Sequence, residues 1–237
     1  MRVNGEMLKN DLKASWMSPK VSKGYKGLGM EGFIAKWYAK ITQKDMEEFK
    51  ILARRVAENM AEGSSVLELA PGPGYLAIEL VRLGNHRIVG LDISKTFVDI
   101  AQKKAKEVGV TIEFRQGDAA HMPFDNETFD FIICRAVFKN FAEPIRALNE
   151  MHRVLKLNGK SLIIDLRRDV PRESIDKYVE NMGLNRINSL ITTWTFRFML
   201  IKRAYTKDEF YRLVSNTEFR KCEIQESLTG LEIWLEK

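Results

Sequence analysis

Residues 68–75 read ELAPGPGY, directly after the apolar pair Val66-Leu67 and directly before a run with helical spacing. Two glycines and two prolines in so short a stretch are more punctuation than a plain turn requires. Gly72, Gly74 and Ala77 match the G-x-G-x-x-G/A spacing that hands phosphates from a strand to a helix N-terminus. Asp92 follows about 20 residues on, where that arrangement needs an acid for the ribose. The chemistry of the loop argues against a phosphate. Pro71 and Pro73 each lack the backbone N–H that would bind one, and the Glu68 carboxylate would repel it. A ligand with a ribose and a cation, but no phosphate, suits the loop, and a dinucleotide-binding oxidoreductase does not.

Strand-like and helix-like patterns alternate around this loop. SSVLELA (64–70) and HRIVGLDI (86–93) are short apolar runs suited to buried strands. Between them, YLAIELVRLG (75–84) sets Leu76, Leu80 and Leu83 at helical spacing and stops at Gly84. SKTFVDIAQKKAKEVG (94–109) opens on Ser94 as an N-cap and carries Phe97, Ile100 or Ala101, Ala105 and Val108 as one stripe, with lysines opposite. VTIEFRQGDA (110–119) and FDFIICRA (129–136) read as strands. EPIRALNEMHRVLKLNG (143–159) reads as a helix with Pro144 near its start and Gly159 beyond its end, and KSLIIDL (160–166) as the next strand. Such alternation predicts a parallel sheet covered on both faces, which binds ligands at the carboxyl ends of its strands. Glu68, Asp92, Asp118 and Asp165 end strands and are placed to meet one.

Composition bounds the function. The chain has 237 residues, 45% hydrophobic and 30% charged, enough for one good core, and it reads as a single domain, 1–237. No apolar run reaches the ~20 residues of a membrane span; LITTWTFRFMLI (190–201) is too short and carries Arg197. MRVNGEMLKNDLK lacks the apolar stretch of a signal peptide, so the expected location is cytoplasmic. Cys134 and Cys222 form no disulfide framework, and with His86, His121 and His152 they offer no metal-ligand spacing, so no metal is expected. The net charge is +6, but residues 1–50 hold ten Lys/Arg against six Asp/Glu while the rest is nearly balanced. That is an N-terminal excess rather than a basic stripe, and it argues against nucleic acid as a partner.

Residues 64–166 resemble the class I S-adenosylmethionine-dependent methyltransferases, in the style of the small-molecule branch with the ubiquinone/menaquinone C-methyltransferases. LELAPGPGY resembles the family's acid plus G-x-G-x-G loop. GLDIS resembles its ribose-binding motif, with Asp92 on both hydroxyls. In GDAAHMPF, Asp118 would accept from the adenine amino group with Ala119 beside the ring. FDFIICRAVFKNFAEP and EMHRVLKLNGKSLIIDL resemble the fourth strand and the helix and strand after it. The resemblance implies an α/β fold: a doubly wound, seven-stranded, mostly parallel, Rossmann-like sheet. An N-terminal helical lid (1–60) precedes the cofactor-binding core (64–166), and a helical substrate cap is inserted at 169–212 after the fifth strand. The last two strands then fall in 213–237, near EFRKCEIQES and LEIWLEK. S-adenosyl-L-methionine is the implied cofactor and S-adenosyl-L-homocysteine the product, held by Glu68, Ala70, Gly72, Gly74, Asp92, Ile93, Asp118, Ala119 and Arg135, with Tyr25 and Gly29 from the lid.

The acceptor side is less defined. Ala70 replaces the family's first loop glycine, a change expected to be tolerated. VFKNF (137–141) carries Lys139 and Asn140 where the family commonly places histidines, which puts a histidine mechanism in doubt. Lys139, Asn140, Asp165 and Arg167 are the catalytic candidates, although ion pairing within the protein would equally account for Asp165 and Arg167. His121 would sit near the adenine ring, and Cys134 reads as core. Phe33, Trp37 and Ile41, at i, i+4 and i+8, either pack a helix into the core or close over the cofactor. The insertion reads as helices PRESIDKYVENMG (171–183) and SLITTWTFRFMLIKRA (189–204), before TKDEFYRLVSN (206–216) with Thr206 as N-cap. Trp37, Tyr38, Trp194, Arg197 and Phe198 are the substrate-contact candidates. Gly74→Val is expected to fill space the cofactor needs. The acceptor is read as a small molecule. RNA or protein acceptors, a catalytically silent cofactor-binding protein and a homodimer all stay open.

Overall fold

The computed structural model describes residues 24–27, 29–181 and 200–237. Seven strands form one sheet: β1 Ser65–Leu69, β2 Arg87–Asp92, β3 Glu113–Gln116, β4 Phe129–Arg135, β5 Leu155–Leu166, β6 Lys221–Glu226 and β7 Gly230–Glu236. Their order is β3-β2-β1-β4-β5-β7-β6. β1 to β5 pair in parallel, and β7 runs antiparallel to both β5 and β6. The doubly wound, mostly parallel sheet read from the alternation is therefore the observed one. Strand order reverses between β1 and β4, so the chain after β1 leaves at the switch point.

Alternate residues of each strand feed two cores, as a sheet buried on both faces requires. Leu67, Leu69, Ile132, Cys134 and Ile163 pack on one side with α5 (Pro144–Val154) and α7 (Lys207–Val214). Val66, Phe131, Ile133 and Leu162 pack on the other with α2 (Met46–Ala57), α3 (Tyr75–Val81) and α4 (Lys95–Glu107). Two further helices are α1 (Gly32–Thr42), ahead of α2, and α6 (Arg172–Asn181), after β5. The Tyr75 hydroxyl donates to the Ala39 carbonyl at 2.8 Å, tying α1 to the start of α3.

The caps fall where the side-chain chemistry put them. Ser94 Oγ accepts from the Phe97 N–H at 3.1 Å. Thr206 and Glu209 form a reciprocal capping box. Three boundaries differ from expectation. α3 stops at Val81, leaving Leu83 exposed, and Val108 is likewise exposed past the end of α4. The helix expected over 143–159 ends at Val154, and β5 begins at once. Leu155 is fully buried beside Phe129 of β4, and Asn158 takes φ +63°. Sheet pairing there outcompetes a helix that would have to carry Leu155 away from the core. The second insertion helix, with Trp194, Arg197 and Phe198, lies outside the described residues.

Candidate functional site

The carboxyl ends of β1, β2 and β4 meet at the switch point. Glu68, near the end of β1, is buried; its carboxylate takes the Ala77 N–H, and Oε2 has no partner. Burial pushes this carboxyl up to about 8, against the opposing pull of the Ala77 N–H and the Arg135 guanidinium. Asp92, ending β2, is also buried. Its Oδ1 accepts from the Ser94 N–H at 2.8 Å and its Oδ2 from the Gly72 N–H at 3.0 Å. Burial raises it to about 6, those two N–H groups opposing. Two buried acids with raised pKa values at a sheet edge await a cationic or hydroxyl-bearing ligand.

These shifts fix the sign of a pH effect. Glu68 titrates near 4.5 when unfolded and near 8 when folded. Between those values the unfolded chain has released a proton that the folded one keeps, so stability falls as pH rises. The ligand-free protein is expected to lose stability from about pH 4.5 to 8, and Glu68→Gln to flatten that slope, as thermal melts across the range would show. A slope unchanged in the variant would mean that Glu68 ionises as freely as in solvent.

The loop between β1 and α3 assigns its glycines different work. Gly72 takes φ +54° with open space where a Cβ would stand, so its backbone is bare toward the site. Gly74 takes φ +78°, and a Cβ there would come within 2.9 Å of Ala101 Cβ and 3.0 Å of Phe114 Cζ. Gly74 is thus a packing glycine against α4 and β3, which corrects the expectation that a side chain there would fill ligand space. Ala70, at φ +51°, occupies a left-handed position that costs a non-glycine residue on the order of 1 kcal/mol. The substitution is tolerated but strained.

Beyond β3, Asp118 Oδ1 accepts from the Ala120 N–H at 2.9 Å, and Ala119 packs at the edge of the first core. His121 Nδ1 stands 3.8 Å from Asp118 Oδ2 on a half-exposed side chain. Ile93 lies next to Asp92, its carbonyl accepting from Gln116 Nε2 at 3.2 Å. Arg135 lies over the Phe49 ring at 4.7 Å and pairs with Glu48 at 3.3 Å.

Residues 24–27 and 29–31 run along this edge as a strap. Tyr25 bridges to Phe141, the Lys26 N–H donates to the Asn140 carbonyl at 2.7 Å, and the Ala142 N–H donates to the Gly24 carbonyl at 3.1 Å. At the other end, Ser94 Oγ donates to the Met30 carbonyl at 2.6 Å. Glu31 accepts from the Lys95 and Thr96 N–H groups at 3.0 and 3.1 Å. Gly29 sits half-buried between these anchors. Gly24 approaches Asp118 so closely that a Cβ would lie 2.3 Å from its carboxylate oxygen. Burial raises the Tyr25 hydroxyl; Arg203 opposes, and Tyr38, Asp92 and Asp165 add to the rise. On α1, Tyr38 turns inward, its ring edge-on to Phe97 at 5.8 Å. Trp37 turns outward and is exposed, as are Phe33 and Ile41, so that stripe does not pack into the core.

The acceptor-side candidates resolve into a clamp. Lys139 and Asp165 are both buried, with Nζ to Oδ1 at 2.7 Å. Asp165 Oδ2 also accepts from the Lys139 N–H at 2.8 Å, and Oδ1 from the Leu166 N–H at 2.8 Å. Lys139 Nζ donates further to the Ala136 carbonyl at 2.6 Å. Arg167 does not pair with Asp165; it holds Asp169 and Glu226, each at 2.9 Å. Asn140 Oδ1 is buried without a partner. Cys134 is fully buried, and burial holds its thiol well above the usual range. Three features escaped the sequence: the Lys139–Asp165 pair, the Glu31 contact with α4, and the cluster of Phe138 with Phe141, Tyr205 and Phe210. Each joins residues far apart in the chain, with no local spacing to announce it.

A sheet of this strand order brings a glycine loop and two buried acids together at its switch point. A family model described as a methyltransferase domain matches residues 67–163. The chain is 28% identical over 187 residues, 74% of each chain, to a demethylmenaquinone methyltransferase of Chlorobaculum tepidum. It is 42% identical over 107 residues, 44% of this chain and 42% of the relative, to the ubiquinone/menaquinone biosynthesis C-methyltransferase UbiE of Blochmanniella pennsylvanica. A Methanococcus maripaludis crystal structure, provisionally described as an S-adenosylmethionine-dependent methyltransferase, superposes with a TM-score of 0.73. It covers 93% of this chain and 97% of its own at 21% identity, a likeness of fold. Over these matched residues the chain is similar to the S-adenosylmethionine-dependent methyltransferases, and it is an enzyme of that type.

Proposed function

We propose that the enzyme methylates a small-molecule acceptor of the quinol class, at carbon, with Glu68, Gly72, Asp92 and Asp118 holding S-adenosylmethionine. The observation that carries the cofactor side is Glu68: a buried carboxyl with an unpartnered oxygen at the switch point, suited to a ligand bearing positive charge. Gly72 adds a bare backbone, and Asp92 keeps unused lone pairs beside its two N–H donors. The acceptor class rests on the two relatives named above.

When bound, the cofactor would supply an electrophilic methyl on a sulfonium: the C–CH3 bond would form as the S–CH3 bond breaks, leaving S-adenosylhomocysteine, and the acceptor carbon's proton would then pass to solvent as the ring regains aromaticity. The chain's contribution is to bind and align, which can supply several kcal/mol of the barrier. Asp92 orients the ribose, and Gly72 allows close approach. The strap with Tyr25 covers the edge and excludes water, and an adenine reaching Asp118 requires Gly24 to move aside. The Lys139–Asp165 pair fixes the turn after β4 at the acceptor edge and acts through position rather than proton transfer. A base is needed for an acceptor that arrives protonated and weakly acidic, as a quinol does.

Transfer of labelled methyl from S-adenosylmethionine tests the reading, with lipid-extracted quinols, a polar metabolite extract, RNA and a protein lysate offered separately. Label in the quinol fraction supports it. Label in RNA or protein alone, or in no fraction despite tight cofactor binding, overturns it.

A further inference from the structure

The outer side of α1 is the one surface of the described residues where large apolar side chains cluster without cover. Phe33 is 80% exposed, Trp37 54%, Ile34 40% and Ile41 39%. At 3.6 residues per turn these four share one arc of the helix, opposite Ala35 and Ala39, which face the protein. Scattered apolar residues on a surface are ordinary, but an exposed cluster on one helix face marks an interaction site.

Charge says what kind. Lys36 and Lys40 are exposed and fall beside the apolar arc, Lys44 follows in the next turn, and no acidic residue lies within α1. An apolar face carrying Trp and Phe, bordered by lysines, is the pattern of a helix lying in a bilayer interface, where lysines meet anionic headgroups. A protein partner's apolar patch would not select for the lysine border. No helix of the described residues is long and apolar enough to cross a membrane, so attachment through α1 would be from one side.

We propose that α1 docks the enzyme on anionic lipid bilayers, with Phe33, Ile34, Trp37 and Ile41 entering the interface and Lys36 and Lys40 pairing with headgroups. The placement has a consequence for the site. α1 continues directly from the strap, and Tyr38 on its inner side packs on Phe97 of α4. Docking through α1 would thus hold the strap that leads into it close to the bilayer surface. The docking itself does not depend on the acceptor's identity.

The test is sedimentation of the full chain with large unilamellar vesicles of phosphatidylglycerol mixed with phosphatidylcholine, and of phosphatidylcholine alone. Binding to the anionic vesicles is expected, weaker at high salt, with each of Lys36→Gln and Lys40→Gln costing about fivefold. Phe33→Ser/Trp37→Ser is expected to abolish binding with an unchanged melting temperature, since both side chains are solvent-facing. Brominated lipid should quench the wild type more than Trp37→Phe, which places the indole in the bilayer. Failure to bind anionic vesicles at low salt overturns the proposal, as does undiminished binding by the serine variant. A lipid-free dimer that dissociates in the serine variant would assign the face to a second copy instead.

Discussion

Asp165→Ala is expected to destabilise the protein by about 3–5 kcal/mol, because it strands the Lys139 ammonium in a buried site. The pair is closed to solvent, with Nζ 2.7 Å from Oδ1, and Asp165 also accepts two backbone N–H groups. Lys139→Met should cost less, since those backbone donors still hold the carboxylate. Removing both charges, as in Lys139→Met/Asp165→Leu, should recover much of the loss. Urea denaturation of the four proteins reads these differences. If Asp165→Ala instead leaves stability intact and abolishes only methyl transfer, the residue works on the acceptor and the clamp is wrong.

Gly74→Val is expected to cost about 2–5 kcal/mol of stability, from a left-handed backbone imposed on a branched residue plus overpacking against Ala101 and Phe114. Gly72→Ala provides the contrast. Its φ is also positive, so about 1–2 kcal/mol of strain is expected. Its methyl meets open space, however, and should weaken cofactor binding in a protein that still folds. Denaturation separates the first effect and calorimetry the second. Equal loss of cofactor affinity in both, with stability untouched, would return Gly74 to the ligand surface.

The parallel part of the fold was legible because its strands announce themselves locally, whereas β6 and β7 came with the resemblance. Val66-Leu67, Ile88-Val89 and the run Phe131–Cys134 are apolar on both faces, and Ser94 and Thr206 cap the helices that follow their strands or loops. The acids of the cofactor edge were legible for the same reason: in a parallel sheet, the residue that ends a strand is placed by the strand. What escaped was whatever depends on pairing across the chain. Lys139 and Asp165 are 26 residues apart, and their burial together is set by the parallel register of β4 and β5. The boundary at Val154 escaped because a helical period ran on through residues that sheet pairing then claimed. Trp37 was readable as part of a stripe, but a stripe does not say which way it faces. Ala35 and Ala39, small enough for close packing, took the inner side instead.

The measurement that bears most directly on the account is calorimetric titration of the folded protein with S-adenosylmethionine and S-adenosylhomocysteine, alongside Asp92→Ala and with NADH as control. Saturable binding of both sulfur compounds is expected, with none for NADH. Asp92→Ala should lose roughly 1.5–3 kcal/mol, about 10- to 150-fold in affinity, because the ribose hydroxyls lose a charged acceptor. Affinity unchanged in Asp92→Ala, or binding of NADH in place of the sulfur compounds, would contradict the site described at the ends of β1 and β2.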